Sequence, residues 1–251
     1  MKITLITVSY NSELTISETI ESVLNQTYFN IEYIIVDGNS SDNTLRIVKK
    51  CEKLFLGRLK WISEPDKGLY DAMNKGIKAA TGDIIGILNS DDFFSSSHVI
   101  SEIVNFFKQN DIDALYGDVK FVNPDNLSKN VRYYSSKIFR PGLFRFGFMP
   151  AHPTFYMKRD MYEKYGLYEL DYKIASDYDL LIRYLYKYKI KYKYLSSCFV
   201  TMRTGGVSTE NWKSRIVLNK EIVKACKKYG IYTNMFFLSF KYLYKIFELR
   251  K

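Results

Sequence analysis

Ile84-Ile85-Gly86-Ile87-Leu88-Asn89-Ser90-Asp91-Asp92 sets an unbroken apolar run directly against two adjacent carboxylates. A short run of this kind, ended by turn-forming residues, predicts a strand buried on both faces. The acids then fall at its carboxyl end. Working outward, Ile3–Ser9, Glu32–Asp37 and Leu59–Ser63 read the same way, each closing on polar residues. Ile16, Ile20, Val23 and Leu24 recur at helical spacing, with Thr15-x-x-Glu18 as a capping box. Ser41 is placed to cap a second helix through Leu45, Val48, Cys51 and Phe55. Residues 69–80 and a segment from Ser97 through Phe107 give two more. Strands alternating with helices predict an α/β fold with a mostly parallel sheet covered on both faces. In such sheets ligands bind beyond the carboxyl ends of the strands.

The remainder is less regular. Ala114–Val122 is expected as a strand, with Val131–Ser135 pairing to it. Residues 140–157 hold three prolines and two glycines and read as loop and short strand. Ser176–Tyr188 reads as helix, Tyr192–Arg203 as strand, and Trp212–Tyr229 and 233–250 as helices.

The 251 residues carry 37 Lys+Arg against 27 Asp+Glu, a formal charge of +10. Residues 1–125 hold 12 basic and 18 acidic side chains, and residues 126–251 hold 25 and 9. A basic, aromatic second half suits a polyanion or an anionic membrane surface, or reflects a Lys- and Tyr-rich composition. Cys51, Cys198 and Cys226 form no CxxC pair, which argues against a zinc knuckle or disulfide framework. The start of the chain lacks a secretory signal pattern, and no apolar run is long enough to span a bilayer.

Several familiar chemistries are disfavoured. Tyr10-Asn11-Ser12 follows the first strand where a GxGxxG dinucleotide loop would stand, and no Walker A motif exists. His98 and His152 are the only histidines, and no GxSxG elbow accompanies them. What remains is carboxylates at strand ends. Two acids beside each other repel unless a cation or ligand joins them, and oxygen donors with open positions suit Mg²⁺ or Mn²⁺ shared with a diphosphate. A helix-capping acid pair is the alternative. Asp37 can accept from a base N–H or ribose hydroxyls, or form an Asx-turn. Asp66 can meet nucleotide hydroxyls, and Lys67 can offset phosphate charge or remain a solvated loop lysine. Asp177 and Asp179 sit in a first helical turn, where the dipole favours them; Asp177 is also a candidate general base.

These residues carry a resemblance. Thr7-Val8-Ser9-Tyr10-Asn11, Ile34–Thr44, Ser63–Gly76 and Leu88-Asn89-Ser90-Asp91-Asp92 together resemble a family 2 inverting glycosyltransferase of the GT-A fold, a Rossmann-like sheet flanked by helices. Ala175–Arg183 extends the likeness, which is strongest to bacterial enzymes building exopolysaccharide, O-antigen or capsule. The resemblance implies that Thr7, Ser9, Tyr10, Asn11, Asp37, Asp66, Lys67 and Asp91 bind the nucleotide-sugar donor. It implies that Asp92 binds Mn²⁺ or Mg²⁺ and that Asp177 is the catalytic base. Ser176 stands where the family usually has Glu. Residues 1–95 would form the donor part and 96–210 the acceptor part, with 211–251 a C-terminal helical extension.

His152 can line the acceptor site, approach the metal, or be a satisfied structural residue. Met202–Ser208 can close over a diphosphate through Arg203, or be a plain turn. In the last helix the apolar positions Met235, Phe236, Leu238, Phe240, Leu243, Ile246, Phe247 and Leu249 oppose a stripe of Asn234, Lys241, Lys245 and Glu248. This resembles an interfacial helix. The expected partners are a nucleotide-sugar donor, a glycan or lipid-linked acceptor and an anionic membrane face, with a homo-oligomer possible in principle and nucleic acid not expected. The expected setting is the cytoplasmic face of a bacterial membrane, with a UDP-sugar as donor. Competing functions are a nucleic-acid-binding module stacking bases on Tyr184–Tyr194, and a sugar nucleotidyltransferase.

Overall fold

The computed structural model describes residues 1–205 and 212–248, with side chains described through residue 242. Gly206, Val207 and Ser208 of the Arg203 loop lie outside the described residues, as does Leu249. So do the side chains of Leu243, Lys245, Ile246, Phe247 and Glu248.

The first half follows the expected alternation: β1 (Ile3–Ser9), α1 (Ile16–Leu24), β2 (Ile31–Asp37), α2 (Thr44–Glu52), β3 (Leu59–Ser63), α3 (Leu69–Ala79) and β4 (Ile84–Ile87). Then come β5 (Phe93–Phe94), α4 (Val99–Gln109), β6 (Ala114–Asn123), β7 (Asn126–Tyr134), β8 (Tyr156–Lys158), α5 (Arg159–Tyr165) and α6 (Ser176–Leu181). A π-helical segment, Ile182–Lys187, continues α6 and leads to β9 (Tyr192–Arg203), α7 (Trp212–Lys228) and α8 (Met235–Glu248). Among the described residues one sheet runs β3-β2-β1-β4-β8-β6-β9-β5, with β7 pairing on β6. The four strands β1 to β4 are mutually parallel. Beyond β4 the sheet is mixed: β8 is antiparallel to both neighbours, while β6 and β9 are parallel.

Every residue of β1 and β2 is buried, as a strand covered on both faces requires. Alternation splits them between two cores. Ile6, Val8, Ile34 and Val36 join α3, α6, α7 and α8 on one face. Ile3, Leu5, Tyr33 and Ile35 join α1, α2 and α4 on the other. Gly86 of β4 is needed where the Tyr156 ring crosses the strand, since a Cβ there would lie 2.0 Å from that ring.

Several local expectations are corrected. The cap expected from Ser41 is absent: α2 starts after Asn43, which makes no side-chain cap, and Asp42 Oδ1 accepts the Thr44 N–H at 2.9 Å as an Asx-turn leading into the helix. Thr15 makes no capping hydrogen bond, and Glu18 pairs instead with Arg203, an ionic partner that outcompetes a backbone amide. Tyr184 is buried, and Tyr192 and Tyr194 pack half-buried against Tyr116, which leaves Tyr186 and Tyr188 as the exposed rings of this tyrosine ladder. In α8 the stripe containing Lys241 is not the solvent face. Lys241 is buried with its Nζ donating to Asn219 Oδ1 at 2.8 Å, while Met235, Phe236 and Phe240 are exposed.

At the opposite edge from the strand carboxyl ends, Glu32 is a fully satisfied buried acid. It accepts from Thr4 Oγ1, Thr81 N, Thr81 Oγ1, Lys60 Nζ and Lys2 Nζ at 2.7–3.2 Å. Burial works against its charge, but these donors overcome it and hold the carboxyl down at about 2. A depressed carboxyl stabilises the fold above its unfolded pKa and loses that contribution as pH falls through the folded value. Glu32→Gln should therefore destabilise by about 2 kcal/mol at pH 7 in urea unfolding. The gap to the unsubstituted chain should narrow as the pH is lowered from 4.5 toward 2; a pH-independent gap would refute the charge-based account.

Candidate functional site

Parallel register places Ser9, Asp37 and Ser63 side by side at the ends of β1, β2 and β3. Asp37 is completely buried. Its carboxylate accepts from Ser9 Oγ at 3.2 Å, Ser63 Oγ at 2.8 Å, Ser40 N at 3.0 Å and Ser40 Oγ at 2.5 Å. The Ser40 N–H contact spans three residues, one more than an Asx-turn, so the loop is held by Asp37 without forming that turn. Asn11 adopts a left-handed conformation, φ 48°, and its Oδ1 accepts the Ser41 N–H at 2.9 Å. The loops after β1 and β2 are thereby fixed to each other.

Beside this knot Gly38, Asp66 and Tyr10 come together. Gly38 has Asp66 Oδ2 and the Tyr10 ring so near that a Cβ would stand 2.6 Å and 3.4 Å from them. Tyr10 is 67% exposed, leaving ring area for a planar ligand. Asp66 Oδ1 accepts the Gly68 N–H at 2.8 Å, and Lys67 is exposed beside it. Thr7 does not join this cluster. It is buried within the sheet, its hydroxyl accepting from Tyr33 at 2.9 Å, because its strand position faces the α1–α2 core.

The acidic turn after β4 is tied in from two sides. Ser12 Oγ and Ser90 Oγ are 2.9 Å apart, and Thr19 Oγ1 of α1 donates to the carbonyls of Ser90 and Asp92. Arg203 donates to the Asp91 carbonyl, pairs with Glu18 and lies 5.2 Å from the Phe93 ring centroid. The two-residue strand β5, pairing with β9, is what delivers Arg203 there. Within the turn Asp92 is 1% exposed. Its Oδ2 accepts from Asn89 Nδ2 at 3.0 Å, and its Oδ1 has no partner. Burial first, then the neighbouring Asp91 charge, pushes the Asp92 carboxyl well above the usual carboxylate range. Burial raises Asp91 as well. An orphaned, buried carboxylate oxygen beside a second acid is the donor set a hard divalent cation fits. Among the described residues no three His, Cys, Asp or Glu side chains close such a site alone, so a cation would need further oxygens from a ligand.

Asp177 opens α6. Its Oδ1 accepts the Tyr178 N–H at 2.8 Å, and the Tyr70 hydroxyl stands between this carboxylate and the Ile174 carbonyl. Burial raises the Asp177 carboxyl to about 6, against the lowering effect of these hydrogen bonds. Tyr70 comes from the first turn of α3, directly after the Asp66–Gly68 loop, and so links Asp177 to that loop. Tyr70 stacks on Tyr168, whose hydroxyl is 2.6 Å from His152 Nε2. Burial lowers His152 to about 4, so the imidazole is neutral at pH 7. His152 thus belongs to the aromatic wall behind Asp177. Asp179 turns the other way and accepts from Tyr172, Arg183, Lys228 and Tyr229. Sequence reasoning missed Tyr70 and Tyr168, whose motif positions do not announce contact with Asp177, and Ser63, which β-strand register alone could have found.

The chain matches the family model described as Glycosyl transferase family 2 over residues 4–166. It is 32% identical over 185 residues to an uncharacterized glycosyltransferase of Mycobacterium tuberculosis, covering 72% of this chain and 68% of that protein. It is 30% identical over 165 residues to a PGL/p-HBAD biosynthesis glycosyltransferase of Mycobacterium bovis, covering 65% and 62%. In three dimensions it resembles S. aureus TarS 1–349 in complex with UDP-GlcNAc, with TM-score 0.69, 20% identity, and 90% of this chain and 66% of that one covered. It also resembles the mannosyltransferase PcManGT of Pyrobaculum calidifontis in complex with GDP-Man and Mn²⁺, with TM-score 0.66, 17% identity, and 90% and 63% covered. The chain therefore spans about two thirds of the length of these proteins.

The unpartnered oxygen gives a direct test. Without metal, Asp92→Asn should melt no lower than the unsubstituted chain, since it removes a costly buried charge. Adding Mn²⁺ with UDP should raise the melting temperature of the unsubstituted chain and leave the variant unmoved. Equal shifts in both would remove Asp92 from the metal site.

Proposed function

The chain belongs to glycosyl transferase family 2 and is a glycosyltransferase with the GT-A fold, and from that premise we propose that it moves a sugar from a nucleotide-diphospho-sugar to an acceptor hydroxyl with inversion. The observation that carries this reading is the presence of two unlike acid sites, in the turn after β4 and in the first turn of α6. One is an acidic turn with an orphaned oxygen, and the other is a single carboxylate whose pKa lies near 6.

The base would lie against Tyr10 and Gly38 with Asp66 at its edge. Asp37 with Ser9 would hold the ribose, a ligand hydroxyl replacing one of the serine hydroxyls on that carboxylate. Asn11 keeps the loop in place for it. Asp92, with Asp91 beside it, would hold Mn²⁺ or Mg²⁺, which when bound neutralises diphosphate charge. Lys67 adds positive potential at the rim. Arg203 positions the acidic turn through the Asp91 carbonyl rather than reaching toward phosphate. Asp177, ionised above about pH 6, takes the proton of the acceptor hydroxyl as that oxygen attacks the anomeric carbon from the side opposite the leaving diphosphate. The Tyr70–Tyr168–His152 wall excludes water behind it, which favours transfer over hydrolysis. UDP is the preferred nucleotide of this reading, and TarS was captured with UDP-GlcNAc; the complex of PcManGT with GDP-Man makes GDP the comparison. The acceptor is read as a glycan or polyprenyl-linked hydroxyl in bacterial surface polysaccharide assembly.

Contact with an anionic membrane is supported by α8. It packs inward through Leu238 and Lys241 and leaves Met235, Phe236 and Phe240 exposed, beside the exposed Tyr232 that precedes it. Exposed aromatic area on a chain whose second half is strongly basic suits a lipid interface. Among the described residues no helix is long and apolar enough to cross a membrane. Donor and acceptor parts within residues 1–210 and a membrane-facing extension at 211–251 complete the reading.

Asp177→Asn should lower transfer roughly 10²- to 10⁴-fold while keeping the thermal shift given by a UDP-sugar. In the unsubstituted enzyme kcat/KM should rise with pH through about 6 and level above it, because the base must be ionised. A variant as active as the parent sinks the assignment. For the membrane contact, Phe236→Ser combined with Phe240→Ser should cut co-sedimentation with phosphatidylglycerol vesicles several-fold, and undiminished binding would exclude α8.

A further inference from the structure

The helix carrying Asp177 is capped from a distant element. The backbone N–H groups of Lys173, Ile174 and Ala175, immediately before α6, all donate to one side chain, Glu221 of α7. Glu221 Oε1 receives Lys173 at 2.8 Å, and Oε2 receives Ile174 at 2.9 Å and Ala175 at 3.0 Å. These amides precede the helix and lack intrahelical partners. Neither Ala175 nor Ser176 supplies a side-chain cap, and the Ser176 hydroxyl is turned away to the Glu169 carbonyl at 2.6 Å. Next to Glu221 on α7, Ile222, Ala225 and Cys226 are buried in the core that also holds Ala175, Tyr178 and Leu181. The carboxylate is therefore anchored on a packed helix, not on a loop.

We propose that Glu221 is a positioning residue for the catalytic base: α7 uses its carboxylate to fix the backbone entering α6 and so to hold Asp177 in place. The proposal rests on the reading of Asp177 as base and extends it to a residue beyond the stretch matched by the family model. Two effects follow. A carboxylate taking three amide N–H bonds holds the approach to Asp177 to one geometry. Its charge also opposes ionisation of Asp177, in the same direction as burial. The other groups facing Asp177 are Tyr70 of α3, Tyr168 of the preceding loop and Tyr178 of its own helix, all neutral at pH 7. Glu221 is thus the charged group among those that act on Asp177.

The test reads Asp177 directly and needs no substrate. The full chain is labelled with carboxyl-¹³C aspartate, the Asp177 resonance is assigned by its loss in Asp177→Asn, and its titration is followed by NMR. Glu221→Gln should move the Asp177 midpoint to lower pH by about half a unit. It should also speed hydrogen exchange of the residue 173–175 amides at least tenfold. Glu221→Asp, which keeps the charge, should return the midpoint toward the parent value. An unmoved midpoint in Glu221→Gln overturns the proposal, whatever the melting temperature does. So does unaltered exchange of the three amides. If Glu221→Gln fails to fold, the same comparison is made between the parent and Glu221→Asp, where exchange must still rise at 173–175 for the proposal to stand. Retained transfer in Asp177→Asn would end the base reading by a separate measurement, leaving the Glu221–Asp177 coupling to be judged on NMR and exchange.

Discussion

The Asp37 carboxylate is the constraint on which the site depends. Four donors from two strand ends and one turn converge on it, and it is completely buried. A buried carboxylate is costly unless hydrogen-bonded, so the chain must bring Ser9, Ser40 and Ser63 to it. Meeting that requirement aligns the ends of β1, β2 and β3 and stitches their loops. Tyr10, Gly38 and Asp66 then take up their places beside Asp37. The acidic turn after β4 is joined to this frame through Ser12, Ser90 and Thr19.

Three buried or enclosed acids show why burial alone does not mark a functional group. Glu32 has five donors within hydrogen-bond reach, two of them lysine ammonium groups, and its carboxyl is held low. It is a fastener. Asp92 has one amide donor, one orphaned oxygen and a second acid beside it, and its carboxyl is driven up. Asp177 lies between these, with enough donors to keep it ionisable near neutrality and enough burial to make it basic. The satisfied acid stabilises the fold by itself, whereas the other two have capacity left for a ligand and a proton.

The second half works by reaching back. Arg203, at the end of β9, grips the turn that presents Asp91 and Asp92. Asp179 gathers Tyr172, Arg183, Lys228 and Tyr229, so α7 is bound to the helix that carries Asp177. Glu221 completes that attachment. Part of the basic, aromatic composition that first suggested a polyanion partner is used inside the molecule. Tyr116, Tyr178 and Tyr184 are core, and lysines such as Lys228 neutralise particular acids.

The parallel half of the fold was legible in the residues because double-sided burial writes itself as continuous apolar strands, each ending in a polar motif. Those motifs also identified Asp37, Asp66, Asp91, Asp92 and Asp177 as the residues to examine. Local patterning failed where a partner far along the chain outcompeted a near one: Glu18 went to Arg203 rather than to a capping box, and Lys241 turned inward to Asn219 rather than outward to water. Strand β5 is two residues long and carries no periodicity, yet it decides where Arg203 stands. The sequence by itself determined the α/β architecture and the chemistry available at the strand ends, because both depend on residue type and spacing along a single strand or helix. Only the tertiary structure decided which acids are satisfied and which are left open, because a carboxylate's state is set by donors that reach it from other elements.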